Sequence, residues 1–469
     1  MISLFIKFLP YVFILYFLYR SIREPVFFLG IPFLMYLRTS IFFEQVMLFR
    51  IPFRSYYSIE QNPDILLIVW LIIFWIIFRI RSENSNQQSM IQQKIYKAKN
   101  INILDYIIIS LVFITLIGFF LVLREYYIVE NVYDKFIVLM SLFIGYFIIK
   151  DIASRTKVNV LCDFFYAIVI VNSIASGLYF IHQGLHIPLY AGKEYATTIF
   201  EGVTITRTFW FIPPLWSFSI VFLIVFKRGR SLIFWGLLTV NLLAIYISYN
   251  RSTLLANGLL ILLYFLFIGY KQKDYFKVIR NFLIMAVVGV TFFIVLSNFL
   301  PASTNYFISR FKELEERPVD KHSNNLVYRF SKTEGVINKM NSEKILFGYG
   351  SVTETQTPFI RIVDNATADM GWAEIVFRWG FLGLSLFVLL YLSSMVKAFF
   401  LFLKSNGDVS NLALVLLLVI ISQVIEGFTS FSIMSPNRFA FGLWYFAILS
   451  VLFIYNPNPE TKSQTENIS

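Results

Sequence analysis

The chain has few charged residues. Asp, Glu, Lys and Arg make up 14% of its 469 residues, against about 25% in a typical soluble domain. Hydrophobic residues make up 58%. They stand in unbroken runs instead of the stripes, spaced about 3.6 residues apart, that mark a soluble amphipathic helix. Because a helix of about 20 apolar residues crosses a bilayer and backbone groups in lipid must bond to one another, the composition predicts an all-α, polytopic membrane protein.

The chain is also short of the residues that hold metals and nucleotides. Its single cysteine, Cys162, lies in an apolar run and predicts a small buried side chain, without a disulfide framework or a cysteine-based metal site. His182 and His186 are four residues apart but lack the glutamate of a zinc protease motif. No P-loop, Gly-x-Ser-x-Gly or Asp-x-Asp pattern is present. We predict no metal, no cofactor and no coupling to ATP.

The apolar runs predict about twelve to fourteen spanning helices. The first run has no basic lead and no Ala-x-Ala cleavage site, so we predict that it is retained as a helix. The count stays open because the second run is short and has arginines on both sides. The predicted spans are Ile2 to Tyr19, Val26 to Leu37, Ile65 to Phe78, Tyr106 to Leu123, Phe136 to Ile149, Val158 to Ile181, Phe209 to Phe226, Leu232 to Ile247, Leu254 to Ile268, Phe282 to Val295, Trp372 to Val396, Leu412 to Ile425 and Phe439 to Ile454.

The basic residues collect in short loops on one side of these spans. The net charge of +12 could suggest nucleic acid, but retention of basic loops in the cytoplasm explains it, so we expect no nucleic-acid partner. The same rule places the longest polar segment outside the cell. The predicted organisation is transmembrane helices with short loops in residues 1–296, a large extracytoplasmic loop in 297–371, further helices in 372–455 and a disordered cytoplasmic tail in 456–469.

Four arginines lie on the predicted outer side, namely Arg207, Arg251, Arg329 and Arg361. Arg251 stands in a very short turn between two apolar helices, where a charge is costly to bury without an anion. The planar guanidinium matches phosphate oxygens, so several arginines around an outward cavity would bind a pyrophosphate group. The alternative is that each arginine only snorkels to the membrane surface or clamps a loop.

Two carboxylates stand at the mouth of a predicted helix. Asp369 falls in its first turn and Glu374 about one and a half turns deeper. Asp369 could simply cap the helix. Glu374 lies inside an apolar run, where carboxylates tend to be functional. Both are therefore candidate catalytic residues.

Three features together resemble the O-antigen polymerase and ligase superfamily of bacterial membrane glycosyltransferases. The first is the turn Ser248-Tyr-Asn-Arg-Ser252, where the family has a Ser-Arg turn. The second is Arg329 followed by Ile345-Leu-Phe-Gly-Tyr-Gly350. The third is Asp369-Met-Gly-Trp372 ahead of Trp379-Gly-Phe-Leu-Gly383, and Arg207 resembles a further outer-loop arginine of the family. Ligases of the superfamily carry a histidine where Asp369 stands, which favours a polymerase.

The resemblance implies a metal-independent, inverting glycosyltransferase of the bacterial inner (plasma) membrane whose site faces the periplasm or exterior. It would join polyprenyl-pyrophosphate-linked oligosaccharide donor and acceptor units into O-antigen, capsule or exopolysaccharide, with membrane lipid and a chain-length regulator as partners. Asp369 and Glu374 would be catalytic, and the four arginines would bind pyrophosphate. An O-antigen ligase stays an alternative. So does a flippase for lipid-linked sugars, although its charges would line the membrane midplane.

Overall fold

The computed structural model describes residues 2–31, 34, 72–80, 102–126, 129–185, 187, 196–200, 203–207, 213–226, 232–316, 334–335, 337–338, 340, 342–350, 371–428 and 445–452. These residues are helical apart from short turns and one hairpin of two strands. The helices are α1 (Ile2–Arg23), α2 (72–80), α3 (Ile103–Tyr126), α4 (Val129–Ser154), α5 (Val158–Tyr179), α6 (Pro213–Phe226), α7 (Leu232–Ile247), α8 (Arg251–Gln272), α9 (Tyr275–Phe299), α10 (Pro301–Glu316), α11 (Ser342–Phe347), α12 (Gly371–Lys404), α13 (Gly407–Gly427) and α14 (445–452); the strands are β1 (Ala196–Phe200) and β2 (Val203–Arg207).

The described helices confirm a polytopic helical membrane protein. Six of them, α3, α5, α8, α9, α12 and α13, are long and apolar enough to cross a membrane, and α6 and α7 are shorter apolar helices. The predicted total of about twelve to fourteen spans includes segments outside the described residues and stays a prediction. Within the predicted outer loop, residues 301–316 form helix α10, and the β1–β2 hairpin is a small addition to the expected all-α fold.

Helix α13 occupies the middle of the bundle and α9 its edge. The apolar part of α13 is 67% buried, because α13 packs against α5, α6, α8 and α12. In α9 only 6% of the apolar part is buried, since the helix packs mainly along α8 and α10 among the described elements. An apolar helix exposed in this way faces lipid, which costs nothing in a bilayer.

The helices define two ends of the bundle, which we call the Arg251 end and the Lys271 end. The Nζ atom of Lys271, at the end of α8, donates to the carbonyl oxygens of Phe402 and Ser405 at 2.6 and 2.7 Å. These are carbonyls at the C-terminal end of α12, which have no partner within the helix. Helices α8 and α12 therefore end side by side, and their first residues, Arg251 and Gly371, belong to the opposite end.

Several cations predicted to lie in the cytoplasm are paired. Lys150 Nζ lies 2.6 Å from Asp105 Oδ2, which also ties α4 to α3. Arg79 Nε lies 2.9 Å from Asp151, and Arg155 Nε lies 3.3 Å from the same carboxylate. Because these cations hold helices together, their presence needs no nucleic-acid partner.

Candidate functional site

The turn before α8 holds Arg251 in a fixed place. Helix α7 ends at Ile247, and Tyr249 takes a left-handed conformation with φ of 51°. Asn250 then caps α8, because its side-chain oxygen accepts a hydrogen bond from Thr253 N at 3.4 Å. Arg251 is the first residue of α8 and is half-buried.

Arg251 stands where a cation is electrostatically unfavourable. The N-terminus of a helix carries about half a positive charge and several amide groups without a helical partner. A guanidinium there adds a second positive contribution, whereas an anion placed between the two is attracted by both. The turn is therefore suited to bind an anionic group such as phosphate.

Helix α10 supports this turn through aromatic contacts. The buried ring of Tyr249 meets the ring of Tyr306 edge-on at 5.0 Å, and the hydroxyls of Tyr246 and Thr304 lie 2.5 Å apart. Burial raises the pKa of Tyr249 to about 12, against a smaller opposite effect of its hydrogen bond with Ser303. The phenol therefore stays neutral at physiological pH and adds no negative charge beside Arg251.

The hairpin that carries Arg207 also contacts helix α10. Its strands pair antiparallel, with Ala196 opposite Arg207 and Phe200 opposite Val203. The Phe200 ring lies 5.5 Å from the ring of Tyr306. The backbone of Arg207 thus belongs to a hairpin that shares Tyr306 with the Arg251 turn, while its side chain lies outside the description.

The second region at the Arg251 end is the start of α12. Glu374 is 7% exposed, and its Oε1 atom accepts hydrogen bonds from Arg378, at 2.9 Å from Nε and 2.8 Å from Nη2. Its Oε2 atom is buried and has no hydrogen-bond partner among the described residues. Sequence reasoning missed Arg378. The signal was present, because Glu and Arg four residues apart share a helix face, and both stand in an apolar run.

Helix α12 is broken between Glu374 and its middle, at Gly380, whose φ of 62° and ψ of −166° are not helical. A break leaves carbonyl oxygens that nothing in lipid can satisfy. Here the oxygen of Phe377 accepts from Tyr349 N at 2.7 Å, and that of Arg378 accepts from Gly350 N at 2.9 Å. We call the contact between residues 345–350 and 377–380 the glycine junction.

The junction requires glycine at its contact points. A Cβ at Gly350 would lie 2.5 Å from the oxygen of Gly118 in α3, and one at Gly380 would lie 2.3 Å from the oxygen of Leu346. Both glycines also have φ values between 60° and 75°, which other residues rarely adopt. In the same place Trp379 Nε1 donates to Thr115 Oγ1 of α3 at 3.0 Å. Two motifs that are separate in sequence therefore lie in backbone contact.

Residues 236–388 match the family model Wzy_C, described as O-antigen ligase. The chain contains a Wzy_C domain. This confirms, for residues 236–388, the resemblance to O-antigen ligases and polymerases predicted from the sequence. No curated protein matches the chain.

The Wzy_C domain spans most of the predicted site residues. Arg251 and Glu374 fall within it and are described, and both lie in the first turn of helices that pack against α13. Arg329, Arg361 and Asp369 also fall within residues 236–388 but lie outside the described residues. Arg207 precedes the matched range. Of the predicted set, the structure therefore places Arg251, Glu374 and the strand of Arg207 at one end of the bundle.

Proposed function

We propose that this protein polymerises oligosaccharide repeat units carried on polyprenyl pyrophosphate into a surface polysaccharide, on the outer face of the plasma membrane. The observation that carries the proposal is Arg251, held as the first residue of a spanning helix within the Wzy_C domain. Guanidinium and helix N-terminus both attract the diphosphate to which the growing chain is attached.

The reaction that fits this site is an inverting glycosyl transfer. A sugar hydroxyl of one lipid-linked unit attacks the anomeric carbon of the chain held on the second lipid. The new C–O bond forms as the bond from that carbon to pyrophosphate breaks, and the hydroxyl proton passes to a base. The negative charge that develops on the leaving pyrophosphate needs cations placed in advance. Arg207, Arg251, Arg329 and Arg361 are proposed for this role, so a metal is not required.

The proposed base is Asp369, with Glu374 in support. A positioned carboxylate can orient the attacking hydroxyl and accept its proton. The bond between Glu374 Oε1 and Arg378 supports the second part, because it holds the Glu374 carboxylate in one orientation with its other oxygen unused. Asp369→Ala should abolish polymerisation at unchanged protein level.

An O-antigen ligase is the second candidate, because that is the printed description of the matching family. Ligases of the superfamily have a histidine at the position that resembles Asp369, so the aspartate favours the polymerase. A flippase is less well supported, since transporters place their binding charges near the membrane midplane. Arg251 and Glu374 both lie within the first turns of their helices.

The deciding experiment is deletion of the gene followed by electrophoresis of the surface glycans. Loss of the ladder with one repeat unit still attached is expected for a polymerase. Loss of all attached units would instead indicate a ligase, and lipid-linked units trapped in the cytoplasm would indicate a flippase. A ladder unchanged from wild type would overturn all three readings.

A further inference from the structure

A second group of polar side chains lies deeper in the bundle, below Arg251. Helices α6, α8 and α13 meet at an apolar contact that includes Val221, Leu260, Ile261 and Leu418. Residues four apart on a helix share a face. One turn closer to the Arg251 end, the same faces carry Ser217, Asn257 and Ser422. A second turn towards that end brings Thr253 and Glu426. We call these five residues the polar layer.

The polar layer is buried and only partly hydrogen-bonded. Its five side chains are between 0% and 3% exposed. Asn257 Nδ2 donates to Ser217 Oγ at 3.1 Å and to the Thr253 carbonyl at 2.7 Å. Three other atoms, Asn257 Oδ1, Thr253 Oγ1 and Ser422 Oγ, have no hydrogen-bond partner in the described part of the chain. A buried polar atom without a partner costs stability, so its presence calls for a functional explanation.

Besides its amide and hydroxyl groups, the layer contains the carboxylate of Glu426, in the last turn of α13. Carboxylates inside a membrane bundle are expensive and are usually functional. Glu426 interacts electrostatically with the hydroxyl of Tyr445, whose ring stacks at 5.8 Å on Phe218 of α6. The layer therefore has an aromatic wall beside its oxygen atoms.

The chemistry of the layer matches an uncharged molecule rich in hydroxyl groups. An amide oxygen and a carboxylate accept hydrogen bonds, and serine and threonine hydroxyls both accept and donate. The carboxylate disfavours an anion. Thr253 and Asn257 lie within six residues of Arg251, which is roughly 9 Å along a helix axis. The sugar joined directly to a diphosphate on Arg251 lies within that range.

We propose that the polar layer is the subsite for the sugar that is linked to the pyrophosphate. Hydroxyl groups of this sugar take over the Asn257–Ser217 hydrogen bond and satisfy Asn257 Oδ1, Thr253 Oγ1 and Ser422 Oγ, with Glu426 as a further acceptor. The inference rests on the proposed function, because it takes its substrate class from there. It makes the layer a determinant of which sugar the enzyme accepts.

The test compares two lipids on the full-length protein in nanodiscs. One probe is the lipid-linked repeat unit extracted from a strain that lacks the gene, and the other is polyprenyl pyrophosphate without sugar. Thr253→Val and Ser422→Ala should each weaken binding of the sugar-bearing lipid by about tenfold, as expected for one lost hydrogen bond in a buried site. Binding of the sugar-free lipid should stay within about twofold. Glu426→Gln should behave in the same way.

Stability separates this role from a structural one. Each of the first two substitutions removes an unpartnered buried oxygen; Thr253→Val keeps the size of the side chain and Ser422→Ala loses only that oxygen, so the melting temperature without lipid should stay or rise. Ser394→Ala is the matched control, because Ser394 Oγ is also buried without a hydrogen-bond partner but lies far along α12. It should leave the binding of both lipids unchanged.

Other outcomes would overturn the subsite. Equal weakening for both lipids, or for neither, would show that the layer does not contact the sugar. A melting temperature that rises with sodium ions, and loses this rise in Thr253→Val and Ser422→Ala, would assign the layer to a cation instead. A wild-type protein that binds neither lipid would refute the proposed function itself.

Discussion

The Arg251 turn and the glycine junction solve the same problem in different ways. Each interrupts helical structure at one end of a membrane bundle, where freed backbone groups must find partners. The turn uses side chains, with Asn250 as the cap and Tyr249 packed on Tyr306. The junction uses backbone hydrogen bonds, with Tyr349 N and Gly350 N bonded to carbonyls of α12. Substitutions that remove a functional group should therefore impair the turn, whereas substitutions that add an atom to a glycine should impair the junction.

The largest effect is expected at the turn. Arg251→Ala should lower polymerisation at least about 100-fold, because it removes charge stabilisation that a transition state needs. Arg251→Lys should also be poor, since an ammonium cannot bind phosphate through two parallel hydrogen bonds. Glycan ladders from complemented deletion strains measure both. Arg280→Ala, at an exposed arginine of α9, is the control and should restore a normal ladder. Wild-type ladders from Arg251→Ala would remove the turn from the site.

At the junction, Gly350→Ala should lower activity by about tenfold or more and reduce stability by at least about 1 kcal/mol, since a left-handed conformation and a contact with backbone both oppose the methyl group. The melting temperature and the specific activity of purified protein measure the two effects. Gly258→Ala is the matched control, because a Cβ there meets no atom within 4 Å. Equal behaviour of the two variants would contradict the junction.

Removing Arg378 is expected to act mainly by lowering the free energy of unfolding. Arg378→Gln leaves the buried Glu374 carboxylate without its cation, and a broken buried pair costs about 3 kcal/mol. The double variant Glu374→Gln/Arg378→Gln keeps the shape without either charge, so much of the stability should return. Chemical denaturation of the three proteins gives the comparison. A double variant less stable than Arg378→Gln would show that the ion pair is not the main contact of Arg378.

The smallest effect is expected for Tyr249→Phe. Because the pKa of Tyr249 is raised to about 12, the folded protein keeps a proton that the unfolded chain loses above about pH 10. Tyr249 therefore makes stability fall as pH rises from about 10 to about 12. Tyr249→Phe should reduce this fall and leave activity near pH 7 within about twofold. Thermal denaturation at pH 8 and 11 tests the first part, and a large loss of activity at pH 7 would give the phenol a direct role.

The candidate residues that the sequence indicated are those whose signal is local. A charged residue within or between apolar runs is conspicuous in the sequence. Arg251 and Glu374 could be chosen as candidates for this reason. Arg378 was missed although its spacing from Glu374 was visible, because it was read as part of the apolar helix. The polar layer could not be found in this way, since Ser217, Asn257 and Ser422 come from three helices and each is a single polar residue in an apolar run.

By itself the sequence determined that the chain is a helical membrane protein and that part of it resembles the O-antigen polymerase and ligase superfamily, because hydrophobic length and short motifs are properties of consecutive residues. It also showed a glycine turn at residues 345–350. Only the tertiary structure decided that this turn bonds to the carbonyls beside Gly380, that Glu374 is paired with Arg378, and that α13 rather than α9 is central. Those outcomes depend on which helix faces meet, and in lipid the apolar faces of helices look alike until packing and hydrogen bonds select among them.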